Sequence, residues 1–139
     1  MKFSTNLATA SITNESGYAV TFAPKDVNFV SDVYDLAEDI RKKLEEKPPE
    51  EDKQEVFKIA KERDQWARER VDAIFGDGTC QNFFGRVNLW SVTDLGTPVI
   101  TNFLMSIIDE VDKAASAKVD ISPKLQAYVS KYEKKYGNV

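Results

Sequence analysis

The chain contains no histidine and a single cysteine in 139 residues. Without histidine, the side chain that most often moves protons near neutral pH is missing, and so is the commonest metal ligand. Ser–His–Asp triads, Cys–His nucleophile pairs and zinc sites of the Cys₂His₂ or HExxH type are thereby excluded. One cysteine, Cys80, leaves no internal disulfide and no Cys₄ metal site, in keeping with a reducing compartment. Apolar runs of the roughly 18–20 residues that cross a bilayer are also lacking, and Ser4, Thr5 and Asn6 follow Met1-Lys2-Phe3 where a signal peptide would turn apolar. The expected location is the cytoplasm. Charge of one sign does not dominate either: 19 basic residues stand against 23 acidic ones, for a net charge of −4. What remains is a soluble globular composition, 42% apolar and 30% charged, of a size suited to one domain with a modest core.

The pattern predicts a mainly α (α+β) fold, in which a helical domain with an N-terminal β-hairpin spans 1–120 and an amphipathic helix or tail spans 121–139. The hairpin is expected over residues 8–23. Thr9, Ser11 and Thr13 alternate with Ala10 and Ile12, and Tyr18, Val20 and Phe22 alternate with Ala19 and Thr21. Gly17 supplies the positive φ that the turn Asn14-Glu15-Ser16-Gly17 requires. Pro24 ends the second strand.

Asp26 or Asn28 can cap a helix running to about Glu46. Its apolar stripe is Val30, Val33, Ala37, Ile40 and Leu44, widened by Tyr34 and Leu36. Pro48-Pro49 stops it. Between Glu38 and Glu55, eight acidic and five basic residues occupy 18 positions, the mixed-sign density of a solvated helix end. A second helix is expected from about Glu50 to Phe75, with Val56, Ile59, Ala60, Trp66, Ala67, Val71 and Ile74 on one side. Arg63 and Arg70 interrupt that side, which predicts a polar or subunit boundary there. The two helices should pair as an antiparallel helical hairpin.

Gly76 then suits the closing position of a helix, and Thr79 can cap one short turn carrying Phe83 and Phe84 before Gly85. Asn88 can cap a short helix over Leu89–Leu95, broken by Gly96. Thr97-Pro98 restarts the chain as an N-cap followed by proline at N1. Val99, Ile100, Phe103, Leu104, Ile107, Ile108 and Val111 make this the most apolar helix, the expected central buried element, ending near Ala117. Ser122-Pro123 begins a last helix bearing Leu125, Tyr128, Val129, Tyr132 and Tyr136. From Lys124 onward there are four lysines and one glutamate.

None of the chemical motifs survives comparison with its plain structural reading. Gly76-Asp77-Gly78-Thr79 lacks the spacing and the Lys-Ser/Thr pair of a phosphate loop and follows a helix, not a strand. Asp32, Asp35, Glu38 and Asp39 alternate around an apolar stripe and read as a solvated face. Arg41-Lys42-Lys43 is flanked by carboxylates in an acidic chain, which argues against nucleic acid. No catalytic, cofactor-binding or metal-binding residue is assigned, and the expected class is a binding protein, not an enzyme. Its partner-contacting residues are expected among the large aromatics, Trp66, Phe83, Phe84, Trp90, Tyr128, Tyr132 and Tyr136.

The segment Arg70-Val71-Asp72-Ala73-Ile74-Phe75-Gly76-Asp77-Gly78-Thr79-Cys80-Gln81-Asn82-Phe83-Phe84-Gly85 resembles a group of small proteins from phages and prophages of Gram-positive bacteria. They share an acidic-x-(Ile/Leu)-Phe-Gly-(Asp/Glu)-Gly-Thr turn followed by a hydrophobic-Phe-Gly end, and are described as similar to tail assembly chaperones of long-tailed phages. Residues 8 to about 115 follow that group's order of elements, with a departure at Trp90–Pro98, where the resemblance implies a more acidic, uninterrupted helix. It further implies a virion-assembly factor absent from the finished particle, one that binds the tape-measure protein or tail-tube subunits and is open to self-association. Membrane and nucleic acid are not among the implied partners. A small phage-encoded inhibitor or regulator of a host protein would have the same composition and is the alternative reading.

Overall fold

The computed structural model describes residues 1–46 and 52–116. Over these the fold is mainly helical with an N-terminal antiparallel hairpin, β1 (Ala10–Thr13), β2 (Ala19–Phe22), α1 (Val27–Glu45), α2 (Lys53–Phe75), α3 (Thr79–Phe84) and α4 (Val99–Ser116). The Pro48-Pro49 turn, the end of α4 at Ala117 and the helix expected after Ser122-Pro123 lie outside the described residues.

The hairpin pairs Ala10 with Phe22 and Ile12 with Val20, so the alternation read from the sequence places Val20 and Phe22 in the core while Ser11 and Thr21 bond each other outside, 2.8 Å apart. Asn14 closes the turn with its backbone and side chain together. Its N–H donates to the Tyr18 carbonyl, its Oδ1 accepts from the Tyr18 N–H at 2.8 Å, and Gly17 sits at φ 88°. The Asn14 amide also donates to the Phe83 carbonyl at 3.0 Å, fastening the hairpin to α3.

Asp26 caps α1 through Asn28 N–H, and Asp52 caps α2 through Gln54 N–H, each satisfying a donor that has no intrahelical partner. The helices run antiparallel, since partners on α1 descend as those on α2 ascend: Glu46 with Arg63, Lys43 over Trp66, Asp39 with Arg70. Arg63 and Arg70 therefore face α1 as ion-pair donors within the chain, which locates the polar boundary inside the helical hairpin. The stripe on α1 is centred on Leu36, which is fully buried, with Val33 and Ile40 beside it; Leu44 is exposed.

Helix α4 is the central apolar element, with Ile100, Phe103, Leu104, Ile107 and Val111 buried. Its core partners are Val33, Leu36 and Ile40 of α1, Ala67 and Val71 of α2, Cys80 and Leu89, with β2 above. Six phenylalanines join the layers. The Phe103 ring lies 5.1–5.3 Å from those of Phe75, Phe83 and Phe84, and Phe75 meets Phe29, which stacks on Phe22.

Three local expectations are corrected. Thr79 is the first residue of α3, not its cap: Gly78 holds that position at φ 84°, and the Thr79 hydroxyl donates to the Gly76 carbonyl. The donors at the start of α3 are met from α2, where Asp72 accepts from Cys80 N–H at 3.0 Å and from Gly78 N–H at 3.4 Å. No helix forms over Leu89–Leu95. Thr93-Asp94-Leu95-Gly96 is instead a tight turn, with Gly96 N–H bonded to the Thr93 carbonyl and Thr93 N–H to the Thr97 carbonyl, and Val92 bridges Pro98. Pro98 consequently occupies the cap of α4, its carbonyl accepting from Asn102 N–H, and α4 proper starts one residue later than the Thr-Pro signal implied.

Candidate functional site

The half-buried and buried titratable residues around α3 are engaged with one another. The Cys80 thiol is buried, and burial beside the Asp72 carboxylate pushes its pKa up to about 12, so it remains protonated and unreactive. Asp64 accepts from Leu89 N–H and from Arg68, and Arg68 in turn donates to the carbonyls of Gly85 and Val87. Together these bonds pin the segment after α3 onto α2. On the surface, Arg41 holds Glu38 below the usual carboxylate range while Glu38 and Glu45 raise the Arg41 pKa. No group of three potential metal ligands occurs among the described residues, and no described helix is long and apolar enough to cross a membrane.

Two kinds of concavity stand out among the described residues. The first is a cleft of about 370 Å³ bounded by Ile12, Asn14, Phe83, Phe84, Asn102 and Phe103. Most of its polar groups are bonded internally: Asn102 donates to Thr93 and accepts from Thr97, Ser106 donates to the Asn102 carbonyl, and Asn14 is spent on the hairpin and α3, while Thr13 and Glu15 border the cleft beside them. They leave no converging set of side chains to orient a substrate.

The second is an apolar trough between α1 and α4. At one end a cavity of about 450 Å³ is lined by Pro24, Val27, Val30, Val111 and Ala115, with Lys25 and Ser31 beside them. Toward the other a cavity of about 200 Å³ is lined by Ala37, Ile40, Leu44, Thr101, Leu104 and Ile108. Helical spacing connects them, because Val27, Val30, Tyr34, Ala37, Arg41 and Leu44 form one row of α1, and Thr101, Met105, Ile108, Asp112 and Ala115 one row of α4. The row on α1 is about 26 Å long at 1.5 Å per residue. Large apolar side chains stand open along it: Val27 is 78% exposed, Met105 52%, Leu44 49% and Tyr34 46%. An apolar groove between two packed helices can receive a third, whose i, i+3, i+4 and i+7 side chains fill it.

Of the expected contact residues, Trp66, Phe83, Phe84 and Trp90 lie away from the trough. Trp66 and Trp90 are half-buried and stack on each other at 6.3 Å, with Lys43 4.6 Å and Arg70 5.3 Å from the Trp66 ring centre. Phe83 and Phe84 are half-buried against Phe103 and border the first cleft. Tyr128, Tyr132 and Tyr136 lie outside the described residues. The open residues along the trough are Val27, Leu44 and Met105, which an emphasis on aromatics passes over, and Tyr34, which the α1 stripe already included. Their signal in the sequence is breadth: apolar positions on α1 span more of the helix than one neighbouring helix can cover.

Comparisons with protein-family models, with curated proteins and with solved structures find no match. The trough is thus read from its own geometry.

Proposed function

We propose that this chain is a binding protein similar in role to phage tail assembly chaperones, which takes hold of tape-measure protein, tail-tube subunits or both in the bacterial host cytoplasm during virion assembly. The observation that carries the binding role is the trough, a largely apolar channel between α1 and α4 along which Val27, Tyr34, Leu44 and Met105 stand open. A tape-measure protein made of long helices presents the amphipathic faces that such a channel accommodates. The Phe75-Gly76-Asp77-Gly78-Thr79 turn supports the choice of phage assembly over other binding roles.

Co-expression of the full chain with a tape-measure protein and a tail-tube protein from the same genome tests the proposal. Either partner should co-purify with the chain, and Met105→Glu should reduce the captured amount by about tenfold, as expected for a charge placed in an apolar interface. Failure to retain either partner overturns the reading. Recovery of one defined host enzyme or defence protein in their place would favour the small inhibitor instead.

A further inference from the structure

The hairpin leaves one edge open. Asn14 and Tyr18 form a hydrogen-bonded pair at the turn. By the alternation of an antiparallel ladder, Ile12 and Val20 then bond each other, while the backbone N–H and C=O groups of Ser11 and Thr13 point away from β2. Among the described residues the sheet has two strands, and neither Ser11 nor Thr13 bonds to a loop or helix backbone. Such an edge is a template for a further strand. Ile12, on the core-facing side of β1, borders the first cleft together with Phe83, Phe84 and Phe103. A third strand beside β1 would roof that cleft.

A segment suited to that place precedes β1. Residues 1–9 form no regular structure and are exposed throughout. Phe3, Thr5 and Leu7 alternate with Lys2, Ser4 and Asn6, the period of a strand with one apolar face. Phe3 is 91% exposed, and Leu7 is open as well. Extended, residues 3–7 span about 13 Å. Lys2 is the one charged side chain of this arm, and Glu15, of opposite sign, is the one charged side chain bordering the cleft among the described residues. Within a single chain the arm runs directly into β1, so pairing with the β1 edge requires a reversal at Ala8-Thr9. Neither residue favours the positive φ of a two-residue hairpin turn, and residues 1–9 hold no glycine or proline. The arm of another copy meets no such constraint. We propose that residues 3–7 of one copy add a third strand to the outer edge of β1 in a second copy, with Phe3 and Leu7 over its cleft and Lys2 toward its Glu15. This site is separate from the trough, and the inference does not rest on the assembly role proposed above.

Light scattering and hydrogen exchange on the full chain, at concentrations up to about 1 mM so that a weak complex is populated, test it. The mass should rise from one copy toward two or more with concentration, and the amides of residues 4–7 should slow about tenfold over the same range. Phe3→Glu alters the exposed arm, and Ser106→Trp fills the cleft from an exposed position on α4. Each should raise the dissociation constant at least tenfold and leave the far-UV circular dichroism of the separated copies unchanged. A mass of one copy throughout overturns the proposal, as does association that survives Phe3→Glu. Association lost with Phe3→Glu but kept with Ser106→Trp overturns the cleft as the seat of the arm. Amide protection that does not change with concentration returns the arm to its own chain and overturns the proposal as well.

Discussion

Single residues in this protein act mainly as fasteners. Asp72 on α2 accepts from two backbone N–H groups at the start of α3, a capping role delivered from a different helix. Asp72→Ala leaves those donors without their acceptor and should cost about 1–2 kcal/mol, measured as a lower urea midpoint with unchanged m-value. Cys80 beside it gives a pH prediction. Its thiol titrates near 12 in the fold, against 9.0 ordinarily. Between those values the unfolded chain releases this proton and the folded chain keeps it, so the stability associated with Cys80 is fully present below about pH 9 and is lost as pH rises toward 12. Alkylation at pH 8 should accordingly be about a hundredfold or more slower in the native protein than in denaturant. Equal rates would show that the thiol is not enclosed. The capping role of Asp72 was not legible in the sequence, because Asp72 and Cys80 meet only through the turn at Gly76–Gly78.

Among the elements, what was legible tracks how many local signals agreed. The hairpin, α1, α2 and α4 each combine a period with a start or stop residue, and each forms within a few residues of its expected bounds. Leu89–Leu95 had a cap and apolar residues but no sustained period. There the turn chemistry prevails: β-branched Val92 and Thr93 suit a bridge, and Gly96 takes φ 84° to close a turn that a helix would abolish. Nothing lies within 4 Å of where a Cβ on Gly96 would sit, so Gly96→Ala isolates the backbone preference from any clash. It should destabilise the protein by about 1 kcal/mol, read by thermal unfolding, and Gly96→Asn should cost less because asparagine tolerates this region. If Gly96→Ala proves neutral, the turn is not held as described. The trough belongs to the same scale. The width of the apolar row on α1 was visible, but which part α4 would leave open depends on the angle at which two helices pack, and no single helix encodes that.

At the scale of the whole molecule, Phe103 determines whether the pieces behave as one. Its ring touches phenylalanines from α2 and α3, and Phe75 continues the contact through Phe29 to β2. The tryptophan pair lies on another side of the core, reached through α2 and the segment following Leu89. Removing the Phe103 ring should cost about 3–5 kcal/mol, a large share of the roughly 5–15 kcal/mol that holds a domain together. If the hairpin and helices share one core, the loss must appear everywhere at once. Phe103→Ala should then lower the midpoints of tryptophan fluorescence and of far-UV circular dichroism by the same amount, whereas Leu95→Ala, at a residue 78% exposed, should move neither by more than about 0.5 kcal/mol. A fluorescence midpoint that stays put while the helical signal shifts would mean that the Trp66–Trp90 region is stabilised separately, and that the phenylalanine cluster serves only the hairpin end.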